Sequence, residues 1–303
     1  MPELITERRK IPCPYCRCAG HLYFQFYMKE YYHCNACDLI FLNMPIEQDR
    51  DDLMYYRENY FDEYANDQKT NHRIKLYQNI LDDIEKRKKQ GDILDVGCGL
   101  GLFLKEAKDR GWEITGIDPS EESILFAKEF IGNDAFTGTL KNLNRNHLYD
   151  VITSINVLDQ FEESWNEIPM MKSLLKPGGI VYLRFPNGVF HASILRLFLK
   201  FSSKPYINPF LVFHRYVFTR GFIQRVLSDT GFSNVCIRNA TLSGADIYRS
   251  HPSLSTVARL LNYLVWLSAK SIEIASRGYW LLGPSLEVIV KKQDDYDQSL
   301  PSR

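Results

Sequence analysis

The stretch ILDVGCGLG, residues 93–101, contains the strongest indication of the fold in this sequence. It joins a short buried strand that ends at Val96 to a helix that begins near Leu100, through a turn with three glycines. Such a turn lets the backbone approach a ligand closely, and the start of the helix presents free N–H groups to that ligand. The spacing is G-x-G-x-G rather than the G-x-G-x-x-G of dinucleotide enzymes, which makes a dinucleotide oxidoreductase improbable.

Two carboxylates accompany this turn. Asp95 lies at the end of the strand, where a carboxylate suits a ligand with a cationic amino group better than a pyrophosphate. The segment ITGIDPS, residues 114–120, places Asp118 at the tip of the next strand, roughly 20 residues beyond the turn, where it can accept hydrogen bonds from both ribose hydroxyls. An alternative is that Asp118 caps the following helix, with Pro119 in its first turn. We favour ribose binding.

Short apolar runs alternate with helical patterns beyond residue 91. Strands are expected at 93–96, 112–117, 134–137, 151–155 and 180–185, with helices between them at 100–110, 120–130 and 165–175. A turn at 177–179 should precede the last of these strands, and a further helix at 218–230 and late strands at 235–238 and 286–290 follow. This alternation predicts an α/β fold with a doubly wound, largely parallel sheet.

Four cysteines near the start form two C-x-x-C pairs with seventeen residues between them: Cys13, Cys16, Cys34 and Cys37. Two such pairs at this spacing are typical of a closed, structural Zn²⁺ site. Cys18 and His33 are spare ligands, and the alternative is a set of free thiols. Because no export signal precedes them, we expect a cytoplasmic protein without a disulfide framework.

Composition excludes other classes. The chain has 303 residues, of which 45% are hydrophobic, and 37 Lys and Arg residues balance 37 Asp and Glu residues. A nucleic-acid binder would usually show a basic excess, so we expect no nucleic-acid partner. No uninterrupted apolar run reaches the ~18 residues that a spanning helix needs.

Several segments together resemble, in order, the class I S-adenosylmethionine-dependent methyltransferase family: residues 93–101, 114–120, 149–160, 174–187 and 213–232. The resemblance implies a Rossmann-like, seven-stranded sheet with one late antiparallel strand. It implies that Asp95, Gly97 and Gly99 hold the methionine part of the cofactor and that Asp118 holds the ribose. The remaining cofactor-binding candidates come from the same segments or line the adenine and the floor of the site: Cys98, Gly101, Pro119, Gly138, Thr139, Leu140, Asn156 and Val157.

A zinc ribbon before such a domain resembles the sugar C-methyltransferases and enzymes of polysaccharide clusters. We therefore divide the chain into a zinc ribbon (11–45), a helical linker or lid (46–90) and a methyltransferase domain (91–293) with a helical insert (241–283). The expected acceptor is a small molecule or a glycan-related one, such as a sugar nucleotide or a lipid-linked sugar. An RNA methyltransferase that uses the ribbon as its grip and a non-catalytic cofactor-binding module remain alternatives.

Catalytic candidates are His214, Tyr216 and Asp159. Methyl transfer from a sulfonium depends mainly on alignment, and a base is needed only when the acceptor must lose a proton. His214 has the best chemistry for that task. Many relatives carry a Glu-His pair where this chain has Asp159-Gln160, and Gln160 cannot replace a histidine base.

The insert between the late strands, residues 254–283, has an apolar helical face and adds Trp266, Tyr279 and Trp280. Packing into the core or into a homodimer is the default interpretation. The second interpretation is an interfacial helix that makes peripheral contact with a membrane and reaches a lipid-linked acceptor.

Overall fold

Two β-sheets organise the part of the chain that this computed structural model describes, residues 10–26, 29–43, 71–200, 211–241 and 256–293. The smaller sheet has the strand order β1-β2-β3-β4-β10, with bounds Lys10–Pro12, Ala19–Phe26, Lys29–Cys34, Ile40–Leu42 and Tyr216–Val217. All of its neighbouring strands run antiparallel. Four strands thus come from the cysteine-rich segment and the fifth from much later in the chain.

The larger sheet has seven strands: β5 Asp92–Val96, β6 Glu113–Asp118, β7 Ala135–Thr137, β8 Tyr149–Ile155, β9 Leu175–Pro186, β11 Ser233–Asn239 and β12 Ser285–Lys291. Their spatial order is β11-β12-β9-β8-β5-β6-β7. Strands β5 to β9 pair in parallel, whereas β12 runs antiparallel to both of its neighbours. The expected Rossmann-like sheet with one late antiparallel strand is confirmed.

Helices cover both faces of this sheet: α1 Asn71–Glu85, α2 Leu102–Asp109, α3 Glu121–Ile131, α4 Glu167–Leu174, α5 Gly188–Leu199, α6 Arg220–Asp229 and α7 Thr256–Ala275. Local sequence sets their starts. Ser120 caps α3 by accepting a hydrogen bond from Ser123 N at 3.2 Å, and Glu121 and Glu122 favour the positive end of that helix. No helix in the described ranges is long and apolar enough to cross a membrane. The expected cytoplasmic location stays a prediction.

Some element bounds differ from the expectation. Strand β9 already begins at Leu175, so Pro177-Gly178-Gly179 forms its irregular start rather than a turn before it. Gly178 has φ +68°, and the pairing of β8 with β9 shifts register at the same end. Helix α5 was not expected, although Asn187 caps it by accepting a hydrogen bond from Val189 N at 3.2 Å. An Asn before a Gly and an apolar run is a start signal that the sequence does carry.

The proposed linker is only partly described. Its residues up to 70, which include Tyr55, Tyr56, Tyr60 and Tyr64, lie outside the described residues, so the lid stays a prediction. Its later half forms α1, which packs against α2. Arg110 Nη1 donates to Asp82 at 2.8 Å and to Glu85 at 3.1 Å, and Trp112 Nε1 donates to Glu85 at 3.1 Å.

The two sheets are joined through β10 and α6. Tyr216 and Val217 pair with Phe41 and Ile40 of β4, and Leu42 N donates to Arg215 O at 3.0 Å. The Thr219 hydroxyl lies 2.7 Å from Asp38 Oδ2 and 2.9 Å from Asp38 O. The same hydroxyl is the N-cap of α6, where it accepts a hydrogen bond from Phe222 N at 3.0 Å. Thr219 therefore stabilises α6 and also the contact between α6 and the cysteine-rich segment.

We expect Thr219→Ala to lower the free energy of unfolding by about 2 kcal/mol, because it removes a helix cap and a hydrogen bond to a carboxylate. Ser120→Ala is the matched control: it removes the cap of α3, which has no ribbon contact, and should cost about 1 kcal/mol. Urea unfolding followed by circular dichroism measures both. Equal losses would mean that the bond to Asp38 contributes nothing to stability.

Candidate functional site

The glycine turn lies where β5 ends, and steric contacts explain its composition. Gly97 has φ +78°, and a Cβ added there would lie 2.6 Å from Val157 Cγ2. A Cβ at Gly101, at φ +73°, would lie 3.0 Å from the Ala127 Cβ on α3. Both positions combine a left-handed backbone with a neighbour that leaves no room, so only glycine fits without a shift. The turn is held to β6 by a hydrogen bond from Gly97 N to Ile117 O at 2.8 Å.

Asp118 lies at the tip of β6 against this turn. One carboxylate oxygen accepts from Gly99 N at 2.9 Å and the other accepts from Ser120 N at 2.9 Å. The N-cap of α3 is Ser120 rather than Asp118, and exposed Pro119 precedes the helix. Burial raises the pKa of Asp118, although the two backbone hydrogen bonds oppose that shift. The carboxylate is thus fixed beside the turn, at the edge where the parallel strands end.

Asp95 is almost fully buried beside the same turn. Thr153 Oγ1 donates to its carboxylate at 2.6 Å. Burial raises the pKa of Asp95 to about 7, with the hydrogen bond from Thr153 lowering it and the nearby charge of Asp118 raising it further. A cationic group bound here would favour the ionised carboxylate. Asp95 thus has the properties that the sequence analysis required for a partner of a ligand amino group.

Cys98, between two of the glycines, is a packing residue. It is buried, and a Cβ added to Gly116 on β6 would lie 2.9 Å from its Sγ. Burial raises its pKa well above the ordinary value. A thiol held in its neutral form is a poor nucleophile, so the small side chain matters here for its fit.

The segment after β7 lies beside Asp118. Gly138 N donates to Asp118 O at 3.0 Å, and Thr139 begins a 3₁₀ turn over Leu140–Asn142. Thr139 N donates to Asn142 Oδ1 at 2.8 Å, and Leu140 is buried. These residues therefore border the Asp118 carboxylate on the side away from β5.

Asn156 and Val157 form the opposite border, where β8 ends. Asn156 has φ +60°; its side-chain oxygen accepts from Arg184 Nη1 at 2.8 Å, and its backbone N donates to Arg184 O at 2.7 Å. Val157 then passes over Gly97, as described above. The tips of β5, β6 and β8 thus bring together the residues that the sequence analysis assigned to the cofactor.

A histidine–aspartate pair follows Val157. His214 Nδ1 lies 2.6 Å from Asp159 Oδ2, and Asp159 is buried. Asp159 Oδ1 has no hydrogen-bond partner among the described residues. Gln160 Nε2 donates to Asn156 O at 2.9 Å and so ties the short turn at 158–160 to the floor of the site. A histidine from just before β10 thus lies beside Asp159, the neighbour of Gln160 in the chain, and no local sequence pattern shows this pairing.

Tyr216 is two residues beyond His214 but has different surroundings. It is buried, its ring centroid lies 5.2 Å from that of Trp165, and burial raises its pKa. Its backbone belongs to β10 and pairs with Phe41. These contacts describe a packing residue that anchors the segment carrying His214.

The four ribbon cysteines converge. Their sulfur atoms all lie within 4.8 Å of one another, with Cys13 to Cys37 at 3.6 Å and Cys16 to Cys34 at 3.4 Å. A tetrahedral Zn²⁺ with four thiolates at ~2.3 Å would require sulfur separations of about 3.8 Å, so the cluster fits that ion. The hydrogen bond from Cys37 lowers the pKa of Cys13 to about 5 against the effect of burial.

The spare ligands stay outside this cluster. Cys18 is exposed, and His33 Nε2 lies 2.8 Å from Asp38 Oδ1 instead. Burial would raise the pKa of Asp38, but hydrogen bonds from His33 and Thr219 outweigh it and lower that pKa. The buried cysteines belong to the same core as the face of the large sheet under α4 and α6.

Comparisons with known proteins agree with this geometry. The model of a methyltransferase-domain family matches residues 68–237. The ubiquinone biosynthesis O-methyltransferase of Haemophilus ducreyi is 31% identical over 114 residues, which cover 34% of this chain and 48% of the relative. The enzyme of the same name from Rickettsia canadensis is 32% identical over 109 residues, which cover 34% of this chain and 46% of the relative. The chain therefore spans about half the length of the curated relatives it matches.

Solved structures share the fold. An S-adenosylmethionine-dependent methyltransferase from Archaeoglobus fulgidus has a TM-score of 0.50 at 19% identity, covering 77% of this chain and 100% of that one. A magnesium protoporphyrin IX methyltransferase from Synechocystis, solved with bound S-adenosylhomocysteine, has a TM-score of 0.52 at 15% identity, covering 79% and 97%. At these identities the likeness concerns the fold alone.

Proposed function

Because this chain belongs to the methyltransferase-domain family, whose model matches residues 68–237, we propose that it transfers a methyl group from S-adenosylmethionine to a small-molecule acceptor. The observation that carries the proposal is the glycine turn at the end of β5, with the carboxylates of Asp95 and Asp118 at neighbouring strand ends. The cofactor supplies a methyl group already activated on a sulfonium, so the protein mainly has to bind and align.

We assign the cofactor contacts from the fit of this site. Asp95, Gly97 and Gly99 hold the methionine part, where a buried carboxylate meets an amino group and the backbone has no side chains in the way. Asp118 accepts hydrogen bonds from the ribose hydroxyls. The remaining residues shape the turn, line the adenine or form the floor: Cys98, Gly101, Pro119, Thr139, Leu140, Asn156 and Val157.

We propose that His214 is the general base, with Asp159 as the residue that positions it. In a neutral ring, the hydrogen bond to Asp159 places the proton on Nδ1, and Nε2 is then the nitrogen that accepts a proton. The proton of the acceptor moves to Nε2 as the methyl bond forms, and Asp159 then stabilises the charged ring. Tyr216 supports this segment through its packing.

A hydroxyl compound is an acceptor that suits a base. A hydroxyl group must lose its proton when it is methylated, and the His214–Asp159 pair can take that proton, as it could from a carbon or nitrogen acceptor. The curated relatives are themselves named as O-methyltransferases. Within this class we propose a glycan-related acceptor, a sugar nucleotide or a lipid-linked sugar, on the resemblance of the ribbon-plus-methyltransferase arrangement.

We further propose that Cys13, Cys16, Cys34 and Cys37 hold a structural Zn²⁺. The cluster fits four-sulfur coordination, and a closed site of this kind stabilises a segment too small for its own core. The turn Cys34–Cys37 leads directly into Asp38 and β4, which contact Thr219 and β10. Zinc therefore supports the position of His214 as well as the ribbon.

Calorimetry should detect binding of S-adenosylhomocysteine, and Asp118→Ala should weaken it by roughly tenfold to a hundredfold, because it loses charge-assisted hydrogen bonds to the ribose. Asp109→Ala is the control, since Asp109 is an exposed acid at the end of α2. Labelled S-adenosylmethionine with a cell extract should then place label in the small-molecule or lipid fraction. No binding by folded protein, or label only in RNA, would contradict the proposed function.

We expect His214→Asn to lower kcat by about 10²- to 10⁴-fold, because the acceptor loses its base, while affinity for S-adenosylhomocysteine changes by less than about twofold. His147→Asn is the matched control. His147 lies 3.4 Å from Asp92, the first residue of β5, at the end of that strand opposite the glycine turn. Methyl-transfer rates and calorimetry measure the two effects, and a His214→Asn variant as active as His147→Asn would remove the histidine from the mechanism.

Cys37→Ser should abolish tight zinc binding, whereas Cys18→Ser should keep one zinc per chain, because Cys18 is outside the cluster. Metal analysis measures this directly. The Cys37→Ser protein should also lose methyl transfer more than tenfold while it retains most of its affinity for S-adenosylhomocysteine, since His214 loses its support from β4. Equal zinc content in the two variants would refute the assignment of the ligands.

A further inference from the structure

The helix α7, Thr256–Ala275, turns its polar side toward the protein. Lys270 Nζ donates to Asn239 O at 3.3 Å and to Glu273 at 3.0 Å, and Asn239 Nδ2 donates to Glu273 at 2.9 Å. Trp266 Nε1 donates to Ala240 O at 3.2 Å on the same side. The charged groups of the described half of this helix are thus used in docking it to β11.

The outer face of the part of α7 whose side chains are described, residues 263–275, is uncharged. From residue 263 onward its exposed residues are Tyr263, Leu264, Val265, Leu267, Ser268, Ser271, Ile274 and Ala275. A helix on the surface of a water-soluble domain normally shows the reverse arrangement, with its apolar stripe against the core. The inversion indicates that this face meets an apolar medium when the protein works.

Aromatic residues extend this face beyond the end of the helix. Tyr279 is 71% exposed, Trp280 is 59% exposed, and Leu282 follows them. Exposed Arg277 precedes them, and the Arg220 guanidinium lies 5.9 Å from the centre of the Tyr279 ring. Tyr and Trp beside cationic side chains are typical of the boundary between lipid and water. We call the outer face of α7 together with Tyr279, Trp280 and Leu282 the apolar edge surface.

Charge is segregated toward the same part of the chain. Residues 187–283 contain eleven Lys and Arg residues but three Asp and Glu residues, whereas the whole chain has 37 of each kind. The described part of this segment includes a second exposed apolar cluster at the end of α5, Leu197, Phe198 and Leu199, between Arg196 and Lys200. Apolar side chains among cations complement an anionic lipid surface.

The apolar edge surface lies beside β11, the outermost strand of the large sheet, and the same sheet carries the candidate site. Asn239, to which α7 is docked, pairs with Leu286, which in turn pairs with Phe185 near the carboxyl end of β9. Asn187, just past that end, donates to Leu281 O at 2.9 Å and to Gly283 O at 2.8 Å. The neighbouring strand β8 ends at Ile155, one residue before Asn156 at the floor of the site.

We propose that the apolar edge surface binds the surface of an anionic lipid bilayer and so presents the candidate site to acceptors anchored in lipid. A second copy of this chain is the less suitable occupant, because a two-fold contact would place two positively charged segments against each other. Lipid binding rests on this surface alone and is independent of cofactor binding, whereas the presentation of an acceptor rests on the proposed function.

The test is flotation of the zinc-loaded protein with vesicles of phosphatidylcholine alone and of phosphatidylcholine with phosphatidylglycerol. The protein should float with the anionic vesicles and less with the neutral ones, and added salt should weaken the binding. The double variant Leu267→Glu/Ile274→Glu should bind at least about tenfold less, because two apolar side chains no longer enter the lipid.

Leu125→Glu is the matched control and should float like the unchanged protein, since Leu125 is an exposed apolar residue on α3, away from this surface. Circular dichroism shows that each variant is folded. The proposal is overturned if the unchanged protein stays with the lipid-free fraction, or if Leu125→Glu weakens flotation as much as the double variant. Sedimentation that shows a dimer dissociated by the double variant, without vesicle binding, would assign the surface to a second copy.

Discussion

The contact between Gly97 and Val157 is the constraint on which the candidate site depends. It brings the turn after β5 against the segment that leaves β8, and no side chain larger than hydrogen fits between them. The same turn is held to β6 by Gly97 N and by the bond from Gly99 N to Asp118. Three strand ends are thereby fixed relative to each other, and the carboxylates of Asp95 and Asp118 face one region of the site.

The ribbon is structurally part of this site and not an appendage. Its last strand takes β10 as a fifth strand, and His214 lies just before β10. Asp38 connects the second cysteine turn to Thr219 at the start of α6. The buried ribbon cysteines and Tyr216, two residues beyond His214, share one core with a face of the large sheet.

Two buried carboxylates in this protein, Asp95 and Glu287, have different surroundings and therefore different expected roles. Asp95 is buried at a cost that shows in its raised pKa, and the proposed role for it is to meet a cationic group. Glu287, by contrast, is buried but satisfied by Arg238, whose guanidinium also donates to Asp83 at 2.9 Å. A carboxylate with a built-in cation serves stability, whereas one with only a hydroxyl partner is suited to a ligand.

The sheet, the glycine turn, Asp118 and the cysteine quartet could be predicted from the sequence, because each has a local signal: strand and helix periods, left-handed glycines, and cysteine pairs with two residues between their members. The tertiary structure alone brings His214 to Asp159, across 55 residues, and packs the Tyr216 ring against Trp165. It also decided that α7 turns its apolar side outward. Such facts depend on which surfaces of distant segments pack together, and a linear pattern contains no information on that pairing.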